Sequence, residues 1–197
     1  MNMNNFPFAS FIKIPLLLLI CTQCLAQKKY EREYSLKKSA IPAEALQFVT
    51  EVFKSQKVHW YGEESLSGTT IEAKLKKSGT SYSIEFSAEG NIQDVEMLTR
   101  FDRLPAAAQT AINKRLKDEF KNFKVVKTQT QWSGTRENLQ KALTNDQLPP
   151  GITIHYEMVV KGQKTGLITY YEVLSSDKGI VTNVLEIIQR NSDNLIY

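Results

Sequence analysis

Two stretches of this sequence follow one plan, and that duplication restricts the fold more than any other feature. Ile41 to Lys54, IPAEALQFVTEVFK, and Leu104 to Phe123, LPAAAQTAINKRLKDEFKNF, each open on an aliphatic residue followed by proline. Each runs through alanine into an apolar stripe and passes into strand-like sequence. Pro42 and Pro105 suit a first helical turn, where the missing N–H costs nothing. Ile41, Ala45, Phe48, Val49, Val52 and Phe53 recur at helical period and form one apolar face. Ala108, Ala111, Ile112, Leu116, Phe120 and Phe123 continue the same stripe in the second copy. Arg115 stands there where the first copy has Val52, so its guanidinium must snorkel to water or meet a carboxylate. The two prolines are 63 residues apart. A pair of copies is too short for a solenoid, but the two can join edges into one longer sheet.

Strand patterns follow each helix. Thr69 to Lys77 alternates Ile71, Ala73 and Leu75 against Glu72, Lys74 and Lys76, and Ser81 to Ser87 sets Tyr82, Ile84 and Phe86 against Ser83 and Glu85. Val58 to Tyr61 and Ile92 to Leu98 complete the first set. In the second, Lys124 to Trp132, Ile152 to Lys161, Leu167 to Leu174 and Ile180 to Ile188 read as strands. Ser78-Gly79, Glu89-Gly90-Asn91 and Asp177-Lys178-Gly179 supply turns at hairpin spacing. Short links between alternating strands imply an antiparallel meander with one covered face. The expected fold class is therefore α+β: two tandem α-β4 repeats, an antiparallel sheet with both helices packed on one face. Repeat one spans 41–100 and repeat two 101–190, within a domain over 41–197. Residues 133–151 interrupt repeat two; Asn138 to Leu143 suits a short helix there, ended by Pro149-Pro150-Gly151.

Ahead of the repeats, residues 1–26 read as a secretory signal peptide. Lys13 precedes the apolar run Ile14 to Cys21, and Cys24-Leu25-Ala26 offers a cut after Ala26. That run is shorter than the ~20 residues of a membrane-spanning helix, so no membrane span is expected after signal removal, and the chain is expected to be periplasmic or secreted. Residues 27–40, QKKYEREYSLKKSA, carry both charges densely and read as a flexible leader, a short helix or an edge strand being the competing view. Both cysteines, Cys21 and Cys24, lie inside the signal. A mature chain without cysteine has no disulfide framework, thiolate nucleophile or cysteine-based zinc site. Its charge, +4 before cleavage, drops by one with Lys13 and is too balanced to indicate nucleic acid.

These features together resemble the PepSY-like family of exported bacterial proteins, related in fold to the β-lactamase inhibitory protein. The residues that carry the resemblance are the signal, the paired (I/L)-P-x-x-A helix starts, and the Gly turns before the last strand of each unit, Ala88 to Ile92 and Ser176 to Ile180. It covers roughly residues 40–190. It implies a concave eight-stranded sheet and a binding or inhibitory role outside the cytoplasm. This chain departs from the inhibitory protein in lacking disulfides and in carrying the 133–151 insertion, and the family supplies no active-site motif to transfer.

Catalytic machinery is not visible in the sequence, and no enzyme activity, cofactor or metal site is expected. His59 and His155 lack a partner at ligand spacing, no G-x-S-x-G elbow occurs, and Glu63 and Glu64, as strand neighbours, face opposite ways. Aromatic residues are the better signal: Trp60, Tyr61, Trp132, Tyr156, Tyr170 and Tyr171 all fall on expected strands. An uncovered sheet face bearing them would resemble a set of binding hot spots. Tyr170 and Tyr171 are adjacent, so one of them faces away from the helices. The expected function is thus a non-catalytic exported module that recognises a protein or peptide through the open sheet face and the 133–151 loop, inhibition of an envelope enzyme being its sharper version. The alternative is a small-molecule or lipid carrier, which needs an apolar cavity above ~300 Å³. An enzyme ranks third, and a carboxylate of strongly shifted pKa in a cleft would favour it.

Overall fold

The computed structural model describes residues 28–66, 68–145 and 148–188. The expected signal peptide and its cut site lie outside them. The strands are β1 (Lys28–Ser35), β2 (Val58–Ser65), β3 (Gly68–Lys77), β4 (Thr80–Ser87), β5 (Ile92–Thr99), β6 (Asn122–Ser133), β7 (Thr153–Gln163), β8 (Thr169–Ser176) and β9 (Val181–Ile188). Helix α1 (Ala43–Phe53) precedes β2, α2 (Ala106–Glu119) precedes β6, and α3 (Arg136–Thr144) lies between β6 and β7.

The nine strands form one closed barrel in chain order. This overturns the expected α+β arrangement of two tandem α-β4 repeats with an open antiparallel sheet beneath both helices. The reason lies in β1. Lys28–Ser35, placed by sequence in the charged leader, pairs antiparallel with β2, and its first residues pair parallel with β9. That strand joins the two edges that an open sheet would leave, and closure removes unpaired edges altogether. The seam between β1 and β9 is short, three register pairs from Lys28↔Glu186 to Tyr30↔Ile188.

Both long helices start as their sequences require. Pro42 and Pro105 occupy the cap positions, and their carbonyls accept from Leu46 N–H at 3.1 Å and Gln109 N–H at 3.0 Å. The apolar face of α1, Ala45, Phe48, Val49, Val52 and Phe53, clusters with Ile71, Ala73, Ile84, Phe86 and Val95 from β3 to β5. That of α2, Ala108, Ile112 and Leu116, clusters with Tyr156, Met158, Val160, Tyr171 and Val173 from β7 and β8. Arg115 meets a carboxylate, Glu119, which also takes Lys164 at 2.5 Å. Alternate residues of the same strands point the other way, into the lumen of the barrel.

Two glycines set how closely the helices approach. Gly90 and Gly179 precede β5 and β9 at positive φ, +92° and +79°. A Cβ on Gly90 would stand 2.7 Å from Pro42 Cβ, and one on Gly179 would stand 2.5 Å from the Ala108 carbonyl oxygen. In each turn the glycine amide donates to a serine carbonyl, Ser87 or Ser176, at 2.9 Å.

The 133–151 insertion is not a free loop. Thr135 caps α3 by accepting from Asn138 N–H at 3.2 Å. Leu139 is fully buried in the α1 cluster, and Arg136 donates to the Glu44 carbonyl at 3.1 Å while lying 5.1 Å from the centre of the Phe48 ring.

Candidate functional site

Strands β1 to β8 carry polar residues on the lumen face, and the register stacks them. Tyr61, Glu72, Glu85 and Asp94 stand side by side across β2, β3, β4 and β5. Beside them Ser83, Glu96 and Gln131 form a second row, and Glu157 of β7 lies opposite Gln129 of β6. From β1, Lys29, Glu31 and Glu33 reach the same space. Of these, Lys29, Glu31, Glu33, Glu72, Glu85, Glu96, Gln129 and Glu157 line a cavity of about 460 Å³ to which all nine strands contribute, β9 through Ile187, and Asp94 stands behind that lining against Glu85 and Glu96. Acidic groups predominate in it.

Hydrogen bonds and ion pairs organise part of that charge. Lys29 pairs with Glu172 and, at 2.5 Å, with Glu31. Lys74 reaches Glu33 at 2.6 Å and Glu72 at 2.9 Å, with its ammonium 4.9 Å from the centre of the Tyr61 ring. The Ser83 hydroxyl donates to Glu72, and Gln129 Nε2 donates to Glu96 Oε2 at 2.6 Å. Gln131 Nε2 reaches Asp94 Oδ2 only at 3.4 Å, and Asp94 Oδ1 is buried with no hydrogen-bond partner.

The remaining acids strain against one another. Desolvation pushes Asp94 up to about 7, and the nearby Glu157 and Glu72 add to it while Lys29 opposes. Glu157 also rises to about 7, from desolvation and then Glu172, against Lys29 and Lys127. Glu85 and Glu96 stand well above the usual carboxylate range, again through desolvation first and neighbouring acids second. Burial alone would lower the Lys29 and Lys74 ammoniums, but the carboxylates around them reverse the shift and raise both. Like charges crowded in a low dielectric hold protons or attract cations. Glu85, Asp94 and Glu96 each offer a carboxylate oxygen, all within 4.8 Å of one another. Such an all-oxygen set suits a hard cation or an ammonium group.

The aromatic residues singled out by sequence do not form one surface. Trp60 and Trp132 pack against the α1 cluster. Tyr156 and Tyr171 are buried in the α2 cluster, Tyr171 with its ring centre 4.8 Å from that of Phe120. Tyr61 lines a neighbouring cavity with Glu72 and Lys74, while Tyr170 lies beside Lys161, its ring centre 6.0 Å from the ammonium. The two members of the Tyr170–Tyr171 pair do face opposite ways. No open aromatic sheet face remains, because closure has converted that face into a lumen, and the lumen is charged where a lipid carrier needs apolar walls. The two histidines stay apart on β2 and β7. Sequence reasoning missed the acids, which on alternating strands look like solvent-facing residues. The available signal was their recurrence: Glu72, Glu85, Glu96, Glu157 and Glu172 occupy the polar side of five successive meander strands interrupted only by β6.

No family model matches this chain, the PepSY-like family included, and no curated protein sequence matches it. Solved structures do. A DUF2874 family protein from Bacteroides ovatus superposes with a TM-score of 0.52 at 13% identity, covering 79% of this chain and 93% of that one. A BLIP-like protein from Bacteroides fragilis gives a TM-score of 0.46 at 16% identity, over 79% of this chain and 92% of that one. At these identities the first likeness is one of fold. Among the described residues, no helix is long and apolar enough to cross a membrane.

Proposed function

We propose that this protein is an exported, non-catalytic binding module and that its ligand places an alkylammonium group in the barrel lumen. The observation that carries the reading is the excess of carboxylates around a cavity of about 460 Å³, with Glu157 in its wall and Asp94 behind it both pushed up to about 7, by desolvation first and by neighbouring acids second. A cation entering there replaces proton binding with ion pairing in a low-dielectric site, where charge-assisted hydrogen bonds are strongest. The group reaches the lumen either as the side chain of a lysine in a peptide or protein, or on a free amine.

Calorimetric titration with n-hexylamine, and with n-hexanol as the uncharged counterpart, tests this. Saturable binding of the amine alone is expected, weakened at least ~10-fold (1.4 kcal/mol) in Asp94→Asn and Glu157→Gln. Equal binding of the alcohol, indifference to both substitutions, or binding of Ca²⁺ in place of the amine defeats the reading. A lysine-bearing peptide run beside the free amine separates the two sources.

A second reading rests on one geometric observation. Carboxylate oxygens of Glu85 and Asp94 lie no more than 4.8 Å apart, close enough to act as a carboxylate pair of the kind retaining glycoside hydrolysis uses, and a carboxyl pushed up to about 7 by burial, as that of Asp94 is, suits general acid–base work. Turnover of an aryl glycoside that disappears in Asp94→Asn would replace the binding proposal.

A further inference from the structure

The charge inside the barrel is sorted along its axis. The lumen cavity meets a second cavity, of about 610 Å³, and the two share Glu72, Lys74, Lys127 and Gln129. This vestibule lies at the barrel end near the loop from α1 to β2, where Gln56 and Lys57 line it. Its sign is reversed. Lys57, Lys74, Lys76 and Lys127 line it with one carboxylate, Glu72. Lys57 and Lys76 are exposed at the rim, and Lys127 stands at the junction, near enough to Glu96 and Glu157 to oppose the rise in their pKa. Tyr61, His59 and Ser81 add hydrogen-bonding groups to the vestibule wall.

We infer that the ligand is dipolar: its ammonium sits among the lumen carboxylates and a carboxylate at its other end meets the rim lysines Lys57 and Lys76. This rests on the reading of the lumen as an ammonium site and names the remainder of the molecule. Three observations support it. The two cavities are continuous through shared residues. The sign of the lining charge reverses from one to the other. The spacing also fits, because Glu72 and Lys76 lie four residues apart on the same face of β3, about 13 Å of strand. Side chains reaching inward from both ends shorten that span to the length of an ω-amino acid. A ligand bearing only the ammonium would leave the lysine rim uncompensated; one bearing both charges pairs each with its opposite and lies along the field of the lumen. A free ω-amino acid and a peptide ending in lysine both present this chemistry.

The test compares ε-aminocaproate, n-hexylamine and caproate on the wild-type protein and on a Lys57→Ala, Lys76→Ala double variant, by calorimetry at pH 7.5 in low salt. The expected result is ε-aminocaproate bound at least ten-fold more tightly than n-hexylamine. In the double variant that advantage disappears while n-hexylamine binding is unchanged. Because both substituted lysines are exposed, the variant keeps the fold, and an unaltered thermal transition checks this. Equal affinity of the two amines for wild type, or an advantage that survives in the double variant, overturns the dipolar ligand and leaves the ammonium site standing. Failure of both amines to bind overturns the two together. A short peptide ending in lysine, set against its C-terminal amide, tells the peptide source from the free amino acid.

Discussion

Asp94 concentrates the chemistry of the lumen in one side chain. Glu96 stands two residues along its own strand, Glu85, Glu157 and Glu72 act on it from other strands, and Lys29 is the opposing cation. Its carboxyl is held near 7 in the folded chain, as is that of Glu157, whereas both titrate near 4 when unfolded. The folded state therefore holds more protons between those values, and stability falls as pH rises from about 4 to about 7, then levels off. Urea unfolding at pH 5 and pH 8 should show the wild type weaker at pH 8. Asp94→Asn should flatten the profile and be the more stable of the two at pH 8, by on the order of 1–3 kcal/mol. At Gly179 the prediction concerns shape instead of charge. Alanine there must adopt a φ of +79° and press a methyl group onto the Ala108 backbone. Gly179→Ala should lower stability by about 2–4 kcal/mol in denaturant titration. Both glycine turns stand out in the sequence as hairpin punctuation. The packing reason for them, a helix lying directly above, needs the structure.

Among the elements, helices were the more legible. Their proline starts place the beginnings of α1 and α2 to within two residues, but the second stripe continues in sequence through Phe123, whereas α2 ends at Glu119 and Phe123 belongs to β6; α3 was visible as Asn138 to Leu143 within its actual Arg136–Thr144. What sequence could not assign was the duty of α3. An insertion suggests a binding loop, yet Leu139 is wholly buried against α1. Leu139→Ala should cost about 2–5 kcal/mol and should leave amine binding unchanged once the protein is folded, a result that calorimetry reads directly. The strand aromatics divide the same way. Trp132→Ala removes packing from the α1 cluster and should lower the melting temperature, whereas Tyr170→Ala, on the opposite side of its strand from the α2 cluster, should alter it little. Alternation alone says that neighbouring residues face apart. It does not say whether the polar side meets bulk water or an enclosed space, and for Glu85 and Glu157 that difference sets the pKa.

At the scale of the whole molecule, the error in the sequence reading traces to fourteen residues at 27–40. Lys29, Glu31 and Glu33 look like solvated charges, but each finds its partners inside the barrel, so a stretch with little apolar content is held by pairing within the lumen. Local composition cannot report such an arrangement, because Lys29 and Glu33 take partners from β8 and β3, and Glu31 pairs with Lys29 in turn. Amide hydrogen exchange offers a test. The β1–β9 seam has three register pairs where β6 and β7 share eleven, so protection at Lys28–Tyr30 and Glu186–Ile188 should be lost first, well before β7. Lys29→Met, which removes the ion pair to Glu172, should accelerate that exchange further.

The seam also orders events in time. Lys29 and Ile187 sit at opposite ends of the described chain, and they meet across it. A ribosome releases the first long before the second, so β1 has no β9 to pair with until the last strand of the barrel is made. The ring can shut only once β9 is available, and until then its first strand has one edge bare to any neighbour that can supply a strand.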